Sequence, residues 1–276
     1  MDGLKNIYGL IGEKLSHSYS PIIHNEILKR INIDGEYVLF EVERGRLKEK
    51  INELKYKVKG LNVTIPYKVE VVEFLDEVSE EAKKIGAINT IDFKDNLLVG
   101  YNTDYYGFKA MLDVFNIDIK NKGAVVLGSG GASKAVIHSL LDNGIGEVVL
   151  VSRDKIRVEG RFKGIKCIDY SELKHLRNYD YIINCTPVGM YPNIDFSPVD
   201  KDILQNYSVA IDLIYNPTKT LFLKKAEEIG IKAVNGLYML VAQAVKSEEI
   251  WNGVNIDKEY VFNIFTIIKN NIEHKD

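Results

Sequence analysis

A chain of 276 residues, 46% apolar and 27% charged, holds enough material for two α/β domains with packed cores. Its net charge of −3 excludes the basic excess of a nucleic-acid binder, and two cysteines exclude a disulfide framework or a four-cysteine zinc site. Five histidines form no metal-binding pair, so no metal is expected; with no apolar run of about 18 residues and no signal-type start, no membrane partner is expected and the expected location is the cytoplasm.

In chain order, Ile7–Ile11 reads as a strand and residues 12–21 as a polar loop. Ile22–Ile31 reads as a helix, with Pro21 in its first turn and Ser20 as its cap. Ser18 and Ser20 are equally able to turn their hydroxyls toward a carboxylate. Tyr37–Val42 reads as a strand and Gly45–Lys57 as an amphipathic helix with a solvated charged face. Leu61–Lys68 reads as a strand stopped by Pro66. On it Asn62 and Thr64 lie two apart and point the same way. Lys68 follows at the carboxyl end, where open α/β sheets bind ligands, although an exposed helix-start lysine would read alike. Short helices over Val69–Leu75 and Glu80–Ile85 precede a hairpin, Ile88–Phe93 and Leu97–Tyr101, with Asn89 near its start. Asp104 is expected to cap a helix over Tyr105–Phe115 that leads into a second domain.

That second domain begins with strand Ala124–Leu127, the turn Gly128-Ser129-Gly130-Gly131, helix Ala132–Asn143 and strand Glu147–Val151. Strand, glycine turn, helix and strand in this order make a dinucleotide-binding unit, with the pyrophosphate on the helix N-terminus. Ser133 stands where a third Gly or Ala is usual, and a plain βαβ turn that binds nothing is the alternative. After the second strand comes Ser152-Arg153-Asp154-Lys155-Ile156-Arg157. Arg153 and Arg157 favour the 2′-phosphate of NADP; the Asp154 carboxylate opposes it, Lys155 is placed to offset Asp154, and NAD stays open. Strands follow over Lys166–Tyr170, Tyr181–Cys185, Val209–Leu213 and Ala233–Asn235. Helices follow near Ser171–Leu176 and over Thr218–Ile229, Leu237–Trp251 and Lys258–Ile272. Gln243 sits mid-helix among apolar neighbours, aimed either at solvent or at a ligand.

Seven blocks in order carry a resemblance: Ser18–Pro21, Asn62–Lys68, Gly86–Thr90, Asn102–Asp104, Gly128–Ser133, Asn184–Met190 with Asp212–Pro217, and Asn235–Ala244. Over essentially its whole length the chain resembles the shikimate dehydrogenase family. The resemblance implies a two-domain α/β fold. A substrate domain would span residues 1–103 and 237–276, and a Rossmann-like NADP domain 104–236. It implies NADPH-dependent, reversible reduction of 3-dehydroshikimate to shikimate, a step toward the aromatic amino acids, by a monomer or homodimer. Lys68 and Asp104 would be the catalytic pair, and Ser18, Ser20, Thr64, Asn89, Tyr215 and Gln243 would bind substrate. Gly128, Ser129, Gly130, Gly131 and Ala132 would hold the pyrophosphate; Ser152, Arg153 and Arg157 the adenosine phosphate; Thr186, Ile214, Gly236 and Met239 the nicotinamide. Ser152, Asp154 and Ser133 depart from the usual Asn, Thr and Ala of the family. A quinate/shikimate dehydrogenase using NAD or NADP, and a non-enzymatic dinucleotide sensor, are the alternatives.

Overall fold

Two six-stranded sheets organise the chain, each at the centre of its own unit. The computed structural model describes residues 5–16 and 18–273, without the side chains of Arg157, Glu159 and Glu273, so the expectation for Arg157 lies outside the described residues. The first unit comprises Met1–Gly107 and Val241–Asp276, the second Phe108–Leu240.

In the first unit, strands β1 (Asn6–Gly12), β2 (Gly35–Glu41) and β3 (Gly60–Val63) run parallel, joined by helices α1 (Ser20–Arg30) and α2 (Leu47–Leu54). Two-residue β4 (Glu77–Val78), helix α3 (Glu80–Ile85) and the hairpin β5 (Thr90–Lys94) with β6 (Leu97–Tyr101) complete the order β2-β1-β3-β5-β6-β4. The hairpin turns through Asp95 and Asn96, both left-handed at φ 51° and 64°, a conformation their side chains tolerate better than most. Ile51, Leu54, Leu61, Val63, Tyr67 and Ile91 pack in one apolar cluster of this unit, and Tyr8, Leu28, Tyr37 and Trp251 in another. Strand β3 is shorter than expected: after Thr64 the chain folds back, with Tyr67 N–H on the Thr64 carbonyl, so Lys68 lies past a turn and not on a strand. The stretch after it is a single 3-10 turn, Glu70–Phe74, where a helix was expected.

The chain leaves the first unit within helix α4 (Thr103–Val114). The second unit then alternates β7 (Gly123–Leu127), α5 (Gly131–Asp142), β8 (Glu147–Val151), α6 (Lys155–Glu159), β9 (Lys166–Ile168), α7 (Tyr170–Leu173), β10 (Tyr181–Asn184), α8 (Lys201–Leu204), β11 (Val209–Asp212), α9 (Leu221–Glu228) and β12 (Lys232–Asn235). All six strands pair in parallel, in the order β12-β11-β10-β7-β8-β9. This is the doubly wound order of dinucleotide-binding folds, and it reverses between β7 and β10, where such sheets bind ligands at their carboxyl ends. Strands β7, β10 and β11 are buried throughout, as a sheet covered on both faces requires. Helix α9 starts later than Thr218 because Thr220 caps it at Leu223 N–H. The chain re-enters the first unit within α10 (Leu237–Asn252) and ends in α11 (Lys258–Glu273). No helix among the described residues is long and apolar enough to cross a membrane.

Candidate functional site

In the first unit the centre of the site is an ion pair. Lys68 Nζ donates to Asp104 Oδ2 at 2.5 Å, with the two side chains 16% and 3% exposed. Asp104 does not cap its helix. It stands in the first turn of α4, where the unpaired N–H groups favour a carboxylate, and the cap is Asn102, whose Oδ1 accepts from Tyr105 N–H at 3.3 Å. That leaves the Asp104 carboxylate for Lys68. A buried pair of this kind adds little net stability, because desolvation offsets the attraction, so its retention points to chemistry.

Ser20 is likewise not a cap. It is the first residue of α1, the capping position falls on Tyr19 without a side-chain bond, and Ser18 Oγ accepts from Ser20 N–H at 3.2 Å. The Ser20 hydroxyl instead interacts with the phenol of Tyr37. Thr64, half-buried, follows β3 directly. Asn89 Oδ1 accepts from Thr103 N–H at 2.6 Å, which fixes its amide, and Nδ2 donates to Thr103 Oγ1 at 3.0 Å and to Gln243 Oε1 at 2.9 Å. Gln243 therefore spends its carbonyl on Asn89 and keeps its NH2 as donor. The structure thus ties Asn89 to Gln243 and Lys68 to Asp104 within one unit.

Sequence reasoning missed what lies beneath. Asn62 Nδ2 reaches the Asn89 carbonyl, Thr90 Oγ1 and Ser247 Oγ at 2.9–3.1 Å, and Asn62 Oδ1 accepts from Tyr37 OH at 2.7 Å. The Tyr37 ring stacks on His24 at 3.9 Å, and His24 Nδ1 pairs with Glu248 Oε1 at 2.7 Å, all three fully buried. The only signal in the sequence was a polar residue on a buried strand. Replacing Tyr37 by phenylalanine should leave Asn62 Oδ1 without its donor and cost about 1–2 kcal/mol, read as a lower urea midpoint with unchanged slope.

The second unit carries the glycine turn. Gly128 has φ +98°, and a Cβ there would come within 2.8 Å of Thr186 Cγ2. Gly130, at the N-terminus of α5, makes no side-chain cap bond, and a Cβ on it would meet nothing within 4 Å. With Gly131 and Ala132 opening the helix, this leaves an open cradle at uncapped N–H groups, which fits a pyrophosphate. Ser133 is accommodated because its hydroxyl returns to the Gly130 carbonyl at 2.7 Å. Ser129 and Ser152 place their hydroxyls 3.5 Å apart, and Ser152 Oγ also accepts from Asp154 N–H. Arg153 is exposed at the end of β8. The Lys155 ammonium donates to both oxygens of Glu172 at 3.0 and 3.3 Å, a carboxylate held in place by its capping box with Asp169.

The nicotinamide-side candidates gather at the ends of β10, β11 and β12. Thr186 gives its N–H and hydroxyl to Asn184 Oδ1 at 3.0 and 2.7 Å. Ile214 N–H donates to Asp212 Oδ1, and Gly236 N–H to the Ile214 carbonyl. Met239 is buried in the first turn of α10. Tyr215 belongs to this second unit, beside Ile214, and not to the unit that carries the other substrate candidates.

Burial pushes the Asp212 carboxyl up to about 7, against three hydrogen bonds that pull it down. The folded value lies above the unfolded 3.8, so the folded chain holds an extra proton across this window and loses stability as pH rises through it. The loss is at most roughly 4 kcal/mol. Asp212→Asn should remove this dependence: urea unfolding at pH 5 and 8 should show the variant gaining on the parent as pH rises. Equal slopes in both chains would count against it.

Residues 10–91 match the sequence profile of the shikimate dehydrogenase substrate binding domain. A shikimate dehydrogenase (NADP+) of Clostridium beijerinckii is 50% identical over 266 residues, covering 95% of this chain and 98% of that one. The chain belongs to the shikimate dehydrogenase family. The solved chorismate mutase/shikimate 5-dehydrogenase fusion protein from Clostridium acetobutylicum superposes with a TM-score of 0.94 at 52% identity, covering 98% of this chain and 99% of that one. The Thermus thermophilus shikimate 5-dehydrogenase, solved with NADP(H) and shikimate, gives 0.86 at 30% identity over 95% of this chain and 98% of that one. Within this family the α/β fold with an N-terminal substrate domain and a Rossmann-like NADP-binding domain is the shared architecture.

Proposed function

We propose that the chain catalyses the reversible, NADPH-dependent reduction of 3-dehydroshikimate to shikimate. The observation that carries this reading is the buried Lys68–Asp104 pair, in a unit where Gln243, its carbonyl committed to Asn89, keeps its NH2 as a donor suited to a hydroxylated carboxylic acid. Bound NADPH supplies the hydride. The chain's own residues do the rest. Ser18 and Ser20 bind the substrate carboxylate; Thr64, Asn89, Gln243 and, from the second unit, Tyr215 bind its ring hydroxyls or carboxylate. Lys68 stabilises the negative charge that develops on the C3 oxygen and delivers a proton to it from Nζ. Asp104 orients that ammonium by accepting its hydrogen bond. In the second unit Gly128–Ala132 hold the pyrophosphate, Ser152, Arg153 and Arg157 the adenosine phosphate, and Thr186, Ile214, Gly236 and Met239 the nicotinamide. The enzyme works in the cytoplasm, as a small-molecule enzyme of aromatic amino acid biosynthesis.

A second reading, a quinate/shikimate dehydrogenase that accepts NAD, is favoured by the Asp154 carboxylate beside Arg153, which opposes a 2′-phosphate there. Paired kinetics at alkaline pH, where proton release favours oxidation, separate the two. Shikimate and quinate are each assayed with NADP+ and NAD+. The first reading expects shikimate with NADP+ to give the highest kcat/KM by about tenfold or more. Equal turnover of quinate, or of NAD+, would favour the second. Nucleotide binding without shikimate oxidation would sink both.

A further inference from the structure

The chemistry just described leaves the buried carboxyl of Asp212 unused. Asp212, at the last position of β11, is completely buried, and its carboxylate has no cationic partner among its bonds. Every bond its carboxylate makes is to a donor at the carboxyl edge of the sheet, one at the end of β10 and two in the segment that follows β11. Oδ1 accepts from Ile214 N–H at 3.1 Å and from Asn184 Nδ2 at 3.0 Å; Oδ2 accepts from the Thr220 hydroxyl at 2.6 Å. Asn184 is the register partner of Asp212 on β10. With its NH2 committed to Asp212, its Oδ1 is forced toward Thr186, where it takes both the N–H and the hydroxyl. Thr186 Oγ1 then accepts from Val188 N–H at 3.2 Å. The Thr186 methyl faces Gly128, so the chain of contacts reaches the glycine turn on β7.

We infer that Asp212 is a positioning residue for the nicotinamide end of the cofactor site, acting through Asn184 on Thr186 and directly on Ile214. The inference rests on the reading of the second unit as the NADP site and adds to it what sets the geometry there. In its ionised form the carboxylate suits this task because it offers acceptor lone pairs only: neither the segment after β10 nor the one after β11 can turn its donors another way without leaving a buried charge unsatisfied. Burial raises its carboxyl toward neutrality, which is the mark of a group kept in place against its own solvation. The adenosine phosphate candidates, Ser152 and Arg153, follow β8, three places from β11 in the sheet and on the other side of the switch point, and none of the hub's bonds goes to them.

The test measures binding as well as turnover. Dissociation constants for NADP+ and for adenosine 2′,5′-bisphosphate, which lacks the nicotinamide half, are measured by calorimetry on the parent, Asp212→Ala, Asn184→Ala and Asp212→Asn. In both alanine variants the fragment should bind within about twofold of the parent. NADP+ should lose about tenfold, so that its advantage over the fragment disappears, and kcat should fall about 10²-fold from misplacement at the reacting end. Asp212→Asn keeps one carbonyl for Ile214 and Asn184 and should restore most of the NADP+ advantage. Parallel loss of fragment and NADP+, an unchanged NADP+ advantage in Asp212→Ala, or failure of both alanine variants to fold would reduce the hub to an element of the fold and overturn the inference. A parent chain that binds neither compound would remove the NADP reading itself.

Discussion

Lys68→Ala is expected to lower kcat for shikimate oxidation about 10²- to 10³-fold, or about 3–4 kcal/mol of transition-state stabilisation, while NADP+ affinity stays within about twofold. The loss follows from where the ammonium stands: 2.5 Å from a carboxylate that is 3% exposed. Removing it strands Asp104 in a nearly dry place, which also costs stability, about 3 kcal/mol when a buried partner is lost. The two effects are separable. Lys68→Met combined with Asp104→Asn removes both charges together, so it should recover most of the stability and none of the activity. Thermal midpoints and turnover measured on the same samples decide it. Activity that returns with stability would make Lys68 a structural residue.

Gly236→Ala is expected to be the most damaging single substitution in the second unit. A Cβ at Gly236 would lie 2.1 Å from the Leu213 carbonyl oxygen, 2.5 Å from its carbonyl carbon and 2.9 Å from its Cα. All three are backbone atoms, so no rotamer change relieves the contact, and the turn after β11 has to move. Overpacking of this kind costs about 3 kcal/mol. Because Gly236 N–H also bonds the Ile214 carbonyl, the displaced turn carries Ile214 with it, and NADP+ affinity should fall at least about tenfold. Gly160→Ala, where a Cβ would meet nothing within 4 Å, is the control and should stay within about 0.5 kcal/mol of the parent. Urea unfolding of the two variants, with NADP+ titration, measures both effects; a Gly236→Ala chain as stable as the control would contradict the close approach.

The element-by-element record shows which physics a sequence exposes. The unit around Gly128 was legible almost to the residue: expected strand and helix over 124–127 and 132–143, found over 123–127 and 131–142, because buried strands and glycine turns are local signals. The order of the six parallel strands was not, since nothing local says that β10 lies beside β7. Elements β4, α6 and α8, two to five residues each, are too short to show a period. At Asn102-Thr103-Asp104 three cap-competent polar residues follow one another, and only the tertiary bond from Asn102 Nδ2 to the Ala87 carbonyl selects Asn102 for the task. The same holds for Lys155, whose partner Glu172 is 17 residues away and is placed by a capping box. The pairing of Lys68 with Asp104 came from the family resemblance and not from spacing. Tyr37, His24 and Glu248 gave no signal of their network, because a polar residue in an apolar element reads the same whether its partner is water or a buried network, and Asp212 entered only as the start of a resembling block.

A crystal structure of the chain with shikimate bound tests the central claim most directly. The account predicts one ring hydroxyl within about 3 Å of both Lys68 Nζ and the Asp104 carboxylate, with the substrate carboxylate on the hydroxyls of Ser18 and Ser20. Shikimate bound with every hydroxyl more than about 4 Å from Lys68 Nζ would contradict it.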